Sequence, residues 1–191
     1  MLSRIITVLA WIAIVAFPLS EILLAIFKRA RADAVTADRG SMRLLWIVVA
    51  ISVLVANLVQ GVRIGRFPAP TILVYWIAFA LMFGGLLIRW IAILTLGRLF
   101  TVDVAIHAQH AVVDTGLYRH VRHPSYAGLL LAFVGLGMFL GSWLSILTLV
   151  VPITFAVLNR IRKEEEALRT ALGDAYVSYC QRTRCLVPGI L

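Results

Sequence analysis

The sequence predicts an all-α integral membrane protein of about five transmembrane helices, with a cytoplasmic linker and a C-terminal helix standing outside the bilayer. Three observations carry that expectation. Of the 191 residues, 62% are hydrophobic and the mean hydropathy is +0.97, whereas soluble domains are closer to half apolar. The apolar residues fall into runs long enough to cross a hydrocarbon core. The net charge of +9 is concentrated in the segments between those runs.

The first run, residues 5–27, can cross a core of ~30 Å at ~1.5 Å per residue. It is too long for a signal-peptide core, and Lys28 and Arg29 follow it as a stop-transfer signal does, so it is expected to stay uncleaved. Pro18 and Glu21 mark a kink and a protein-facing side. The second run covers 44–62 and the third 70–96, the latter with one charge, Arg89. A polar linker occupies 97–125. Apolar sequence then resumes at Tyr126 and continues to Asn159, enough for two crossings divided at the "GSW" of 141–143. The fourth helix, 126–140, is then only ~22 Å long, which places its start inside protein rather than at the headgroup plane. Beyond Asn159, "NRIRKEEEALRTALGDAYVSYCQR" continues as an amphipathic helix, interrupted at Gly173, with Asp174 placed to cap a second short helix.

Charge sets the orientation. With the N-terminus outside, the inner segments 28–43, 97–125 and 160–191 hold fourteen of the eighteen Lys and Arg, the distribution the positive-inside rule favours. The linker and tail then share the cytoplasmic face and can build one site. No basic tract interleaved with exposed aromatics argues for nucleic acid. Cys180 and Cys185, four residues between them, lie in that cytoplasmic tail, where thiols stay reduced. Without a second pair they make a poor metal site, and no metal is expected.

Polar chemistry concentrates in "GLYRHVRHPSYAG", 116–128. A residue before proline is driven from the helical region and proline suits the first helical position, so His123 reads as cap-like and Pro124 as a helix start. The amides of that helix start suit a carboxylate or other acceptor. The competing reading is an interfacial belt of Arg, His and Tyr. Farther on, Arg160 and Glu164 stand four apart on one helix face. Such a pair can be a surface ion pair, and Glu165 and Glu166 can be solvated or paired. The helix, however, returns to the mouth where 110–126 lie. Arg89 sits two turns inside its run; an intramembrane arginine is costly and favours a pocket role over snorkelling. "GLGMFLG", 135–141, imitates a nucleotide loop, but no strand precedes it and helix packing explains it better. His107 and His120 read as ordinary interfacial histidines, since four histidines without ligand spacing make no zinc site.

The ordered set "AVVDTGLYRHVRHPSYAG", two spans, then "RIRKEEEALRTALGDAYVSY" resembles the isoprenylcysteine carboxyl methyltransferases, and more loosely the phospholipid N-methyltransferases. The resemblance covers 86–188, with "LIRWIAILTLGRLF" extending it into the third span; residues 1–85 match only as apolar helices. It implies one membrane methyltransferase domain over 1–191, its catalytic core at 86–191, using S-adenosylmethionine at the cytoplasmic face. Carried over by position, the cofactor contacts would be His110, Val113, Tyr118, His123, Pro124, Ser125, Tyr126 and Glu164. Arg160 would face a substrate carboxylate, with Arg89 a second catalytic cation. A family glutamine early in the linker has no clear equivalent; Asp103 to Ile106 occupy that region.

The implied substrate is a lipophilic small molecule or lipidated thioether carboxylate held beside membrane lipid. Competing readings are phospholipid amine N-methylation, which requires a base such as His123 or Glu165, a sterol-reductase-like enzyme using NADPH, and a non-enzymatic structural or transport protein.

Overall fold

The computed structural model describes residues 8, 12, 15, 18–20, 23, 35–38, 40–62, 65–68, 72–97, 99–100, 104–106 and 112–186. Within them lie helices α1 (Gly40–Val59), α2 (Ile72–Leu96), α3 (Pro124–Phe139), α4 (Trp143–Leu172) and α5 (Asp174–Arg182). Of the expected first span, Val8, Ile12, Val15, Pro18, Leu19, Ser20 and Leu23 are helical; Glu21 and the remainder lie outside the described residues.

Three helices, α1, α2 and α4, are long and apolar enough to cross a membrane, and α3 is a shorter apolar helix of 16 residues. The chain is a multi-pass membrane protein. Its packing has the corresponding pattern. On α1 the buried residues are Ser41, Leu45, Val49, Ser52 and Ala56, one stripe at helical spacing. The larger Trp46, Ile47, Ile51, Leu54 and Leu58 face outward, as lipid allows and water would not.

Helix α2 packs most extensively on α3, and α1 on α4. Glycines set the first of these contacts. A Cβ on Gly85 would stand 2.5 Å from both Gly128 O and Ala132 N, and one on Gly135 would stand 2.5 Å from Met82 N. Backbone touches backbone here, the use of small residues expected for "GLGMFLG". Between α1 and α4, the Ser145 hydroxyl donates to Ala56 O at 3.0 Å.

The hairpin at 141–143 falls where Gly and Ser place it. Gly141 takes φ 72, and the Ser142 hydroxyl accepts from Leu144 N at 3.2 Å as the α4 cap. Helix α3 begins at Pro124, with Pro124 and Ser125 buried, so its start is recessed in protein as its length requires.

One expectation needs correction. Asp174 does not cap α5: it is the first helical residue, the cap position belongs to Gly173 at φ 54, and no side chain closes the turn. The helical architecture carries one short addition. Strands β1 (Val35–Asp38) and β2 (Val104–Ile106) pair antiparallel, Val35 opposite Ile106, with an irregularity between Thr36 and Asp38. Pieces this short pair across a long stretch of chain, so neither shows the alternation that marks a strand in sequence.

Candidate active site

The site forms where the linker enters α3. A single 3₁₀ turn, Gly116–Arg119, opens on Gly116 at φ 56 and buries Tyr118. His123 then leaves helical space at φ −124, ψ 55, and Pro124 starts α3. The His123 side chain makes no capping bond. Its buried ring reaches Glu165 instead, Nε2 to Oε1 at 3.2 Å.

One turn into α3, the Tyr126 hydroxyl sits between two charges on α4. It donates to Glu164 Oε2 at 3.0 Å and accepts from Arg160 Nε at 2.7 Å. The four-residue spacing of Arg160 and Glu164 therefore does face one way, with tyrosine between the two charges. Arg160 is 2% exposed, and its Nη1 donates to the Ser41 hydroxyl at 2.9 Å. An α1 residue thus joins the surroundings of this arginine. A buried cation needs such partners.

Arg89 does not snorkel. It is buried, and its Nη1 donates to Ser125 Oγ at 2.9 Å. The Gly85–Gly128 approach makes that reach possible, since it brings the two backbones together one turn away.

Arg122 ties the tail to this mouth. Its Nε donates to Glu165 Oε1 at 2.9 Å, and its Nη1 donates to Cys180 O at 3.1 Å and to Thr183 O at 2.5 Å. A guanidinium at those carbonyls is where the negative end of α5 places a cation best. Backbone pairing continues the junction: Arg122 N donates to Arg184 O at 2.8 Å, and His123 N to Cys185 O at 3.0 Å. The Tyr179 hydroxyl closes it, donating to Tyr118 O at 2.7 Å.

Electrostatics follow from this packing. Glu165 lies beyond Asn159, past the apolar stretch of α4. The His123 hydrogen bond first, then the Arg122 bond, hold its carboxyl well below the usual range. Burial, then the nearby Glu164 charge, pushes the Tyr118 hydroxyl far up, so it stays protonated. Burial pushes Tyr179 up to about 12 and raises the Cys185 thiol.

His123, Glu165 and Cys185 each bring a potential ligand atom within 4.8 Å of the others. No sequence spacing announces that trio. Glu165 Oε1 already accepts from Arg122 and faces His123, so a cation there would compete with the Arg122 guanidinium.

The structure brings Tyr126, Glu164 and Arg160 into one chain of hydrogen bonds, joins Ser125 to Arg89, and sets Tyr118 and Pro124 in buried positions beside them. Val113 is half-buried in the linker, and neither chain of hydrogen bonds reaches it among the described contacts. His110 and Asp103 lie outside the described residues. Sequence reasoning missed Ser41, Arg122 and the tail residues Tyr179 and Thr183. Arg122 had a signal in its place in the polar cluster, and Tyr179 in its place at the end of the quoted tail motif.

Comparison with known proteins places the chain in a family. The model of the isoprenylcysteine carboxyl methyltransferase (ICMT) family matches residues 76–170. The chain is similar to protein-S-isoprenylcysteine O-methyltransferase B of Arabidopsis thaliana, 33% identical over 183 residues, 93% of this chain and 90% of that one. It is similar to a probable protein-S-isoprenylcysteine O-methyltransferase of Oryza sativa subsp. indica, 33% identical over 127 residues, 63% of this chain and 66% of the rice protein. The fold is shared with a solved eukaryotic intramembrane Ras methyltransferase ICMT, at TM-score 0.61 and 24% identity, over 80% of this chain and 54% of that one. With a third of its residues identical across nearly the whole Arabidopsis protein, the chain belongs to the isoprenylcysteine carboxyl methyltransferase family, whose enzymes use S-adenosylmethionine.

Proposed function

We propose that this protein transfers a methyl group from S-adenosylmethionine to the carboxylate of a lipophilic substrate, an isoprenylcysteine-like thioether acid being the best fit. The observation that carries the reading is Tyr126, bonded at once to Arg160 and Glu164. One hydroxyl thereby joins an anion suited to a sulfonium or ammonium group and a cation suited to a carboxylate.

The donor set fits the cofactor's chemistry. Glu164 is half-buried, and its carboxylate complements positive groups; Tyr118 and Tyr126 offer ring faces to adenine or to methyls made positive by sulfur. His123, Pro124 and Ser125 would line the adjacent wall, with Val113 and His110 supplied by the linker. When bound, S-adenosylmethionine supplies an electrophilic methyl and departs as the neutral thioether. The substrate carboxylate is already ionised at neutral pH, so no general base is required. Arg160 orients it, Arg89 supports the same face from inside the membrane, and the apolar helices hold the lipid tail and exclude water. The orientation with this mouth facing the cytoplasm and the N-terminus outside rests on the basic residues of 28–43, 97–125 and 160–191. The whole chain acts as one domain, its catalytic core at 86–191.

The test is binding of radiolabelled S-adenosylmethionine to detergent-purified protein, then transfer to an S-farnesyl thioether acid and to lipid extract, with products identified by mass. Label on the acid as an ester supports the reading. Label only on a phospholipid amine, with activity lost as a base protonates near neutrality, replaces it. Binding of NADPH but not S-adenosylmethionine refutes it.

A further inference from the structure

We infer that Ser41, on α1, is a positioning residue that aims Arg160 at the substrate carboxylate. The inference rests on the proposed role of Arg160. It brings into the site a helix outside the 76–170 stretch matched by the family model.

Three observations converge. Arg160 Nη1 donates to Ser41 Oγ at 2.9 Å, across 119 positions of chain. Both residues are 2% exposed, so the bond is made away from water, where a hydrogen bond to a charged group is worth most. The second anchor, Tyr126 Oη on Arg160 Nε at 2.7 Å, lies on a different helix. A guanidinium is planar and rigid. Anchors on two of its nitrogens, from α1 and from α3, fix both the direction and the roll of its plane. Tyr126 holds one edge of that plane, and Ser41 holds a second.

Ser41 also suits the task chemically. It sits in the first turn of α1, on the buried stripe that packs toward α4. A hydroxyl accepts from the arginine without adding a charge, so the cation keeps its attraction for an anionic substrate. An aspartate there would satisfy Arg160 by itself and compete with the substrate. Serine therefore holds the arginine in place and adds no negative charge beside it.

The experiment compares binding of an S-farnesyl thioether acid with binding of its methyl ester, in the presence of S-adenosylhomocysteine, on the full chain in detergent. Wild type, Ser41→Ala and Ser41→Thr are measured, with affinity for S-adenosylhomocysteine alone recorded for each. Expected for Ser41→Ala is a loss of about fivefold in preference for acid over ester, the scale of one positioning hydrogen bond, with S-adenosylhomocysteine affinity unchanged. Threonine, which restores the hydroxyl, recovers the preference. An alanine variant that keeps the wild-type preference overturns the inference. So does one that loses acid, ester and S-adenosylhomocysteine binding in parallel, since that marks damage to the scaffold. Wild type showing no preference for the acid sinks the carboxylate reading itself, and this inference with it.

Discussion

Arg160 Nε donates to the Tyr126 hydroxyl at 2.7 Å, joining residues 34 positions apart on two different helices. The same hydroxyl donates onward to Glu164 at 3.0 Å. A tyrosine that accepts from a cation and donates to an anion is polarised in one direction, and each bond strengthens the other. The predicted consequences of this arrangement can be separated by ligand.

Glu164→Gln and Tyr126→Ala should each weaken S-adenosylhomocysteine binding at least tenfold, or ~1.4 kcal/mol. The first removes the negative charge and the second removes both the ring and the hydroxyl that orients Glu164. Calorimetric titration on purified protein measures it; affinities within twofold of wild type would remove both residues from the cofactor site.

Arg160→Ala should damage substrate use and spare the cofactor. Acceptor KM is expected to rise by tenfold or more, the scale of a lost hydrogen bond to a charged group, while S-adenosylhomocysteine affinity holds. Equal loss of both would refute the assignment.

Gly128→Ala should destabilise the protein by about 1–3 kcal/mol, the usual cost of overpacking. Its Cβ would meet Gly85 O at 2.5 Å and Arg89 N at 2.8 Å, and neither is a flexible chain end. Gly84→Ala on the same helix pair is the control: nothing lies within 4 Å of its Cβ, so thermal unfolding in detergent should be unchanged or slightly raised.

Arg122→Ala should release the tail. The variant loses the bonds to Glu165, Cys180 O and Thr183 O together. Cys185 reports the release. Burial first, then the Glu165 charge, raises its thiol pKa in the folded state. A raised thiol pKa means less thiolate at a given pH, so alkylation near neutrality should be slower than for an exposed thiol. In a Cys180→Ser background the wild-type tail should label slowly and the Arg122→Ala tail several-fold faster. Identical rates would show that Arg122 does not hold the tail.

Much of the helical layout was legible before any coordinate. Uninterrupted apolar runs, Pro124 at a helix start and Gly141 at a turn are local signals, and local physics enforces them. The spacing of Arg160 and Glu164 was equally plain, because helical geometry alone puts residues four apart on one face. Asp174 shows the limit of such reasoning: a good capping residue stood next to the cap, which the backbone gave to Gly173. The strand pair was illegible because its two halves come from separate loops.

What the sequence determined by itself was the membrane class, the helix starts and turns, and which polar residues were too concentrated to be incidental. Only the tertiary structure decided their partners. Ser41 with Arg160, Arg89 with Ser125 and Arg122 with the tail carbonyls are pairings across 119, 36 and up to 61 positions. No periodicity encodes such distances. They arise from tertiary packing: glycines bring α2 and α3 to backbone contact beside Arg89, and each buried or half-buried cation takes the partner that the neighbouring element presents.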